Sequence, residues 1–149
     1  MFSKRFLQAP TSLVLFIATP FTGALAAPVD IAMARKAGQA FIARQMAIRS
    51  SGDSDTLKLV YTAFAGNENV SAEPPVYYVF NDTYGFVVVA ADDCVTPVLA
   101  YSWQGRFDPA NIPPNARIWL DGYRQEITAA IEAGVAADAG IRSLWTEYV

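Results

Sequence analysis

Apolar residues near the start of the chain follow a helical spacing. Between residues 30 and 49 the sequence contains no proline and is rich in Ala, Gln and Arg, which favour helices. The spacing of the larger apolar residues places them on one helical face: Ile31, Ala34, Phe41, Ile42 and Ile48. We therefore predict a first helix with Asp30 as its N-cap and a stop at the polar residues 50–53.

The spacing then changes to the alternation of a β-strand. The core face of this strand is predicted to hold alternate residues: Leu57, Leu59, Tyr61 and Ala63. Three further runs of β-branched and aromatic residues follow at 76–80, 85–91 and 98–103, with turn residues at 81–82 and 92–93 between them. Because such short connections join antiparallel neighbours, the pattern predicts a four-stranded meander.

Helical spacing returns after a proline-rich connection. Residues 105–115 include Pro109, Pro113 and Pro114, which stiffen the segment and suit the start of a helix. An apolar residue then recurs every four positions, and we assign this stripe to the core: Trp119, Tyr123, Ile127 and Ile131. Gly134 is predicted to end the helix, and residues 141–148 predict a short last one. The order of elements predicts an α+β domain, a four-stranded antiparallel sheet with helices packed on one face.

The first 26 residues have the composition of a secretory signal peptide. Lys4 and Arg5 precede an apolar run at 13–26 that closes on small residues. A proline and a glycine interrupt the run, which is shorter than the roughly 18 apolar residues of a membrane span. We predict cleavage after Ala26, a secreted or periplasmic domain over residues 27–149, and no stable membrane insertion after cleavage.

Charge and cysteine content limit the partners of this domain. The full sequence has a net charge of −3, and loss of Lys4 and Arg5 makes it more negative by two. A negative surface repels phosphate backbones, so we expect no nucleic-acid partner. One cysteine, Cys94, leaves no pair for an internal disulfide, and the core must therefore hold the fold.

The sequence contains no histidine. This absence excludes Ser-His-Asp and Cys-His catalysis and removes the usual zinc ligands. Without a histidine to activate it, Cys94 is predicted to be a half-buried core residue rather than a nucleophile. Asp92 and Asp93 are adjacent and would point apart, so they predict a turn and not a catalytic carboxylate pair. We expect no enzymatic activity, no cofactor and no metal site, which leaves binding as the function.

Several strings carry a resemblance that is more specific than composition. The strands and turns read YVFN, GFVVVAADD and TPVLAYS, and the loop and the long helix that follow read GRFDPANIPPN and RIWLDGYRQEI. In this order they resemble the propeptide of streptopain-family cysteine proteases, and also the small stand-alone inhibitors that are similar to that propeptide. The first helix also fits, so the resemblance covers nearly the whole of residues 27–149.

The resemblance implies a sheet domain that docks on a papain-like protease and holds it inactive. In the family, an asparagine-bearing loop after the fourth strand enters the active-site cleft and disturbs the catalytic histidine. The matching loop of this chain is expected to contribute six residues: Phe107, Asp108, Asn111, Pro113, Pro114 and Asn115. Asn115 resembles the family's asparagine, and Asn111 replaces it if the alignment shifts slightly. Because Asn also favours helix starts, capping of the following helix is an alternative role for Asn115.

Two departures from the family leave alternatives open. The protease portion, with its glycine-flanked cysteine and its later histidine, is absent, and Cys94 stands where a basic or polar residue is usual. The chain is expected to be an inhibitor that acts on a separate protease, or else the propeptide of a truncated zymogen. An alternative from another class is an exported module in which Trp103, Trp119 and Tyr123 enclose an apolar small molecule.

Overall fold

The computed structural model describes residues 26–49, 57–66 and 73–149, so the predicted signal peptide lies outside the described residues except for Ala26. Helices and strands follow in chain order as α1 (Ile31–Arg49), β1 (Lys58–Phe64), β2 (Pro75–Asn81), β3 (Phe86–Ala90), β4 (Val98–Ser102), α2 (Pro114–Glu132) and α3 (Ala139–Tyr148). The strands form one antiparallel sheet in the order β1-β2-β3-β4. The predicted α+β meander is confirmed.

Helices cover both faces of the sheet. Tyr78 and Phe80 of β2 belong to a core shared with α1 and α3, whereas Tyr77 and Val79 belong to a second core shared with α2. The prediction that the helices pack on one face is therefore wrong for α2. The physical reason lies in β2 and β3, which are apolar on both faces over most of their length and need a cover on each side.

Strand β1 changes the face it presents halfway along its length. Its pairing with β2 shifts in register between Leu59 and Tyr61. Leu59 packs against the core of α1, while Tyr61 and Ala63 pack in the core of α2. An extra residue in one strand reverses the facing of every side chain that follows it. The predicted single core face of this strand is therefore wrong beyond Leu59.

The start of α1 and the end of α2 follow the predictions, whereas the stop predicted for α1 at residues 50–53 lies outside the described residues. Asp30 Oδ1 accepts a hydrogen bond from the Met33 amide at 2.7 Å, as an N-cap does. Gly134 follows α2 with a φ of 62°, the left-handed conformation that glycine adopts readily. Ile31, which we assigned to the core face of α1, is instead 40% exposed. The side chain of Ile48, assigned to the same face, lies outside the described part of the chain.

Helix α3 closes the core on the side of α1. Asp138 caps it by accepting a hydrogen bond from the Ile141 amide at 2.8 Å. Trp145 is buried, and its indole N–H donates to the Val95 carbonyl at 2.8 Å. The Trp145 hydrogen bond joins α3 to the turn between β3 and β4. None of the helices within the described residues is long and apolar enough to cross a membrane.

Cys94 lies in the turn between β3 and β4 and is buried rather than half-buried. Its amide donates to Asp92 Oδ1 at 2.9 Å, and Asp92 is itself buried. Burial, followed by the contact with the Asp92 carboxylate, raises the pKa of the Cys94 thiol from 9.0 to about 12. The thiol is therefore protonated at neutral pH, which agrees with the prediction that it is not a nucleophile.

This thiol should make the protein less stable in alkaline solution. The unfolded chain loses the thiol proton near pH 9 and the native protein retains it to about pH 12, so stability falls as pH rises between these values. We expect a slope of about 1.4 kcal/mol per pH unit from Cys94 alone. The free energy of unfolding of the native protein and of Cys94→Ala is measured by urea unfolding from pH 8 to 11. Plotted against pH, it should fall more steeply for the native protein, and the two slopes should differ by this amount.

The comparison isolates Cys94 because other groups titrate equally in both proteins. Tyr78 is one of them, since burial, and then the charge of Asp30, raise the pKa of its hydroxyl. Parallel slopes for the native protein and Cys94→Ala would contradict the prediction.

Candidate functional site

The proline-rich loop between β4 and α2 is fastened to the sheet at Phe107. Asn81, the last residue of β2, is 4% exposed. Its Nδ2 donates to the Phe107 carbonyl at 2.9 Å, and its Oδ1 accepts from the Phe107 amide at 2.8 Å. The position of the loop backbone relative to the sheet is thereby fixed. Sequence reasoning predicted only a turn at Asn81, because a partner 26 residues away leaves no local signal.

The Phe107 side chain adds an apolar anchor to these hydrogen bonds. Its ring centroid lies 5.7 Å from those of Tyr61 and Phe86, within the range in which aromatic pairs attract. Tyr61 comes from β1 and Phe86 from β3, so the ring bridges three segments of the chain. Among the six predicted loop residues, Phe107 therefore holds the loop in place.

The exposed tip of the loop is a turn closed by Asp108. Asp108 Oδ1 accepts from the Ala110 amide at 3.0 Å, and the Asp108 carbonyl accepts from the Asn111 amide at 3.1 Å. The Asn111 side chain is exposed and has no hydrogen-bond partner among the described residues. The turn thus exposes the Asn111 side-chain amide to solvent.

The second half of the loop becomes the start of α2. Pro113 occupies the N-cap and Pro114 the first helical position, where its missing amide proton is not needed. Asn115 lies inside the first turn with its side chain exposed. The capping role considered for Asn115 is wrong, because Pro113 holds the cap position and no side chain caps this helix.

An apolar groove lies between the loop and α2. Its volume is about 400 Å³, and its lining includes Phe86, Phe107, Asn111, Ile112, Trp119 and Leu120. Trp119 is 45% exposed, so its assignment to the core stripe is wrong; the buried residues of α2 are Leu120 and Ile127. The neighbouring Ile118 is 74% exposed. Because three consecutive residues span about 200° of a helix, the apolar run 118–120 already indicated that one member would face solvent.

The aromatic residues of the small-molecule hypothesis do not enclose one cavity. Trp103 packs against the core of α1 and α3. Trp119 and Tyr123 lie on α2 instead, with ring centroids 4.6 Å apart. The Tyr123 hydroxyl donates to the Leu99 carbonyl of β4 at 3.1 Å, which ties α2 to the sheet. Trp103 therefore packs on one side of the sheet, whereas Trp119 and Tyr123 lie on the helix that covers the other side.

The loop, fastened to the sheet beside an apolar groove, is a surface of the kind through which proteins contact one another. Residues 26–127 match the family model of the Spi protease inhibitors, and the chain belongs to this family. This family is one of protease inhibitors, which agrees with the prediction that the domain is a non-enzymatic inhibitor. The match includes the sheet, α1 and most of α2, and it ends before α3.

The chain is also similar in sequence to part of a thiol protease. Over 110 residues the chain is 36% identical to the thiol protease/hemagglutinin PrtT of Porphyromonas gingivalis. The alignment covers 72% of this chain and 12% of that protein, so the chain spans a small part of its relative's length. No solved structure matches the chain. The predicted resemblance to propeptide-like inhibitors is thus confirmed.

Proposed function

We propose that this chain is exported and that residues 27–149 form an inhibitor domain, which blocks the active-site cleft of a streptopain-like, papain-fold cysteine protease with residues 107–115. Membership of the Spi protease inhibitor family supports the inhibition, and the similarity to a thiol protease supports a cysteine nucleophile in the target. The observation that carries the proposal is the fastening of the loop by Asn81 and the Phe107 ring.

A fastened loop suits inhibition because it loses little conformational entropy on binding. Its base is held by the sheet and its far end by α2, while Asp108, Asn111 and Asn115 stay exposed between them. An asparagine amide offers both a donor and an acceptor to a catalytic site, and it is a poorer electrophile than a substrate peptide bond placed for attack. The loop would therefore occupy the cleft without being cleaved.

Inhibition of a separate protease is the direct test of this proposal. The exported protein is mixed with purified streptopain-family enzymes, and cleavage of a peptide substrate is followed. Inhibition that saturates at a defined stoichiometry is the expected result. Full protease activity in the presence of a large excess of folded protein would contradict the proposal.

Asn115→Ala should weaken inhibition by roughly tenfold or more, since a polar contact in a desolvated cleft contributes about 1–3 kcal/mol. The melting temperature should stay unchanged, because the exposed Asn115 side chain has no hydrogen-bond partner among the described residues. The inhibition constant and thermal unfolding are measured on the same preparation.

The matched control for this substitution is Asn111→Ala, which removes the other exposed amide of the loop. We expect it to change inhibition less than Asn115→Ala does. An effect confined to Asn111→Ala would assign the cleft contact to the turn at the loop tip. Full inhibition by both variants would rule out an asparagine contact.

A further inference from the structure

The residues that follow the predicted cleavage site form a short ladder with the turn after β3. The Val29 amide donates to the Ala91 carbonyl at 2.8 Å, and the Asp93 amide donates to the Ala27 carbonyl at 3.1 Å. Pro28 and Asp92 form the antiparallel bridge between these hydrogen bonds. The domain is thus ordered from Ala27 onward by backbone contacts with a segment more than 60 residues away.

The ladder ends on a side-chain contact at the first nitrogen of the domain. The Ala27 backbone nitrogen lies 2.7 Å from Asp93 Oδ1 and donates to it. The ion pairs among the described residues join Arg44 to Glu147 and Arg124 to Asp121, so no described lysine or arginine pairs with Asp93. The Asp93 carboxylate therefore faces a backbone nitrogen and no basic side chain.

We propose that Asp93 binds the α-ammonium group that is created at Ala27 when the signal peptide is removed. This inference rests on the export proposed above and is independent of protease inhibition. The family match begins at residue 26, next to the same bond. Cleavage one residue later would remove the nitrogen that Asp93 contacts. Cleavage one residue earlier would place the new ammonium group at Ala26, about one residue length, roughly 3.8 Å, from the Ala27 nitrogen.

The chemistry of cleavage changes the charge of this nitrogen. A leader peptidase hydrolyses the bond between the Ala26 carbonyl carbon and the Ala27 nitrogen with one water. The water oxygen forms the Ala26 carboxylate, and the two water protons go to the nitrogen, which becomes an ammonium group. A neutral amide donor thereby becomes a cationic one, and charge-assisted hydrogen bonds are the stronger class. Processing thus adds an ion pair that the unprocessed chain lacks.

The test uses the full chain expressed in an exporting bacterium. The exported protein is purified, its N-terminal peptide is identified by mass spectrometry, and half of it is acetylated at the α-amine in mildly acidic solution, where lysines stay protonated. We expect a chain that begins at Ala27 and melts about 1–4 °C higher than its acetylated form at low salt, the size typical of an exposed ion pair. In Asp93→Asn, acetylation should leave the melting temperature unchanged.

Glu132→Gln is the matched control, because it removes one exposed negative charge on α2 without touching the ladder. Acetylation should lower its melting temperature as much as that of the native protein. An exported chain that begins elsewhere would overturn the assigned processing site. If the exported chain begins at Ala27 but acetylation lowers the melting temperature of Asp93→Asn as much as that of the native protein, the proposed ion pair is overturned. Neither result depends on a measurement of inhibition.

Discussion

Asn81→Ala should weaken protease inhibition by about 30-fold or more and also lower the stability of the protein. The substitution leaves the amide and the carbonyl of Phe107 without their partners, and each unpaired group in a part-buried place costs roughly 1–3 kcal/mol. The loop escapes this cost by moving its backbone toward water, and it then no longer presents its tip in one conformation. The inhibition constant and urea unfolding measure the two effects.

The control for this prediction is a substitution that destabilises the protein at a site away from the loop. Ile42 is buried between α1 and the sheet, in the core opposite the loop. Ile42→Ala should cost about 2–5 kcal/mol of stability and leave inhibition by the remaining folded protein unchanged. Equal losses of inhibition in Ile42→Ala and Asn81→Ala would show that global stability, and not the position of the loop, controls binding.

Trp119→Ala should reduce inhibition by about 30-fold or more with little change in stability. A half-exposed tryptophan beside a groove has the character of an interface hot spot, where truncation costs about 2 kcal/mol or more. Its removal from the protein alone leaves no closed cavity, so the cost in stability should be well below the roughly 3–5 kcal/mol of a buried tryptophan. Inhibition assays and thermal unfolding on one preparation test both statements.

The control for this substitution is another exposed apolar side chain on the opposite side of the sheet. Met33 of α1 is 41% exposed, close to the exposure of Trp119. Met33→Ala should leave inhibition unchanged if binding uses the face that carries the loop. A large loss of stability in Trp119→Ala, with inhibition by the folded fraction intact, would return Trp119 to the core role that its helical spacing first suggested.

Helix and strand positions could be predicted because each depends on residues that are close in the chain. Asp30 caps α1 by reaching an amide three residues away, and Pro114 suits the first position of α2 whatever packs nearby. The alternation within the strands and the short turns between them likewise act over a few residues. The same local chemistry predicted the stiff loop 107–115 and carried the resemblance to the inhibitor family.

The sequence by itself therefore determined the elements, their order and the candidate loop. Only the tertiary structure decided which apolar side chains are covered and which polar side chains find partners. Trp119 and Leu120 are neighbours on one helix, yet the sheet covers Leu120 and leaves Trp119 half exposed. Asn81 became the anchor of the loop because the chain returns to it 26 residues later. Burial and pairing of this kind depend on what lies opposite in space, which local spacing does not record.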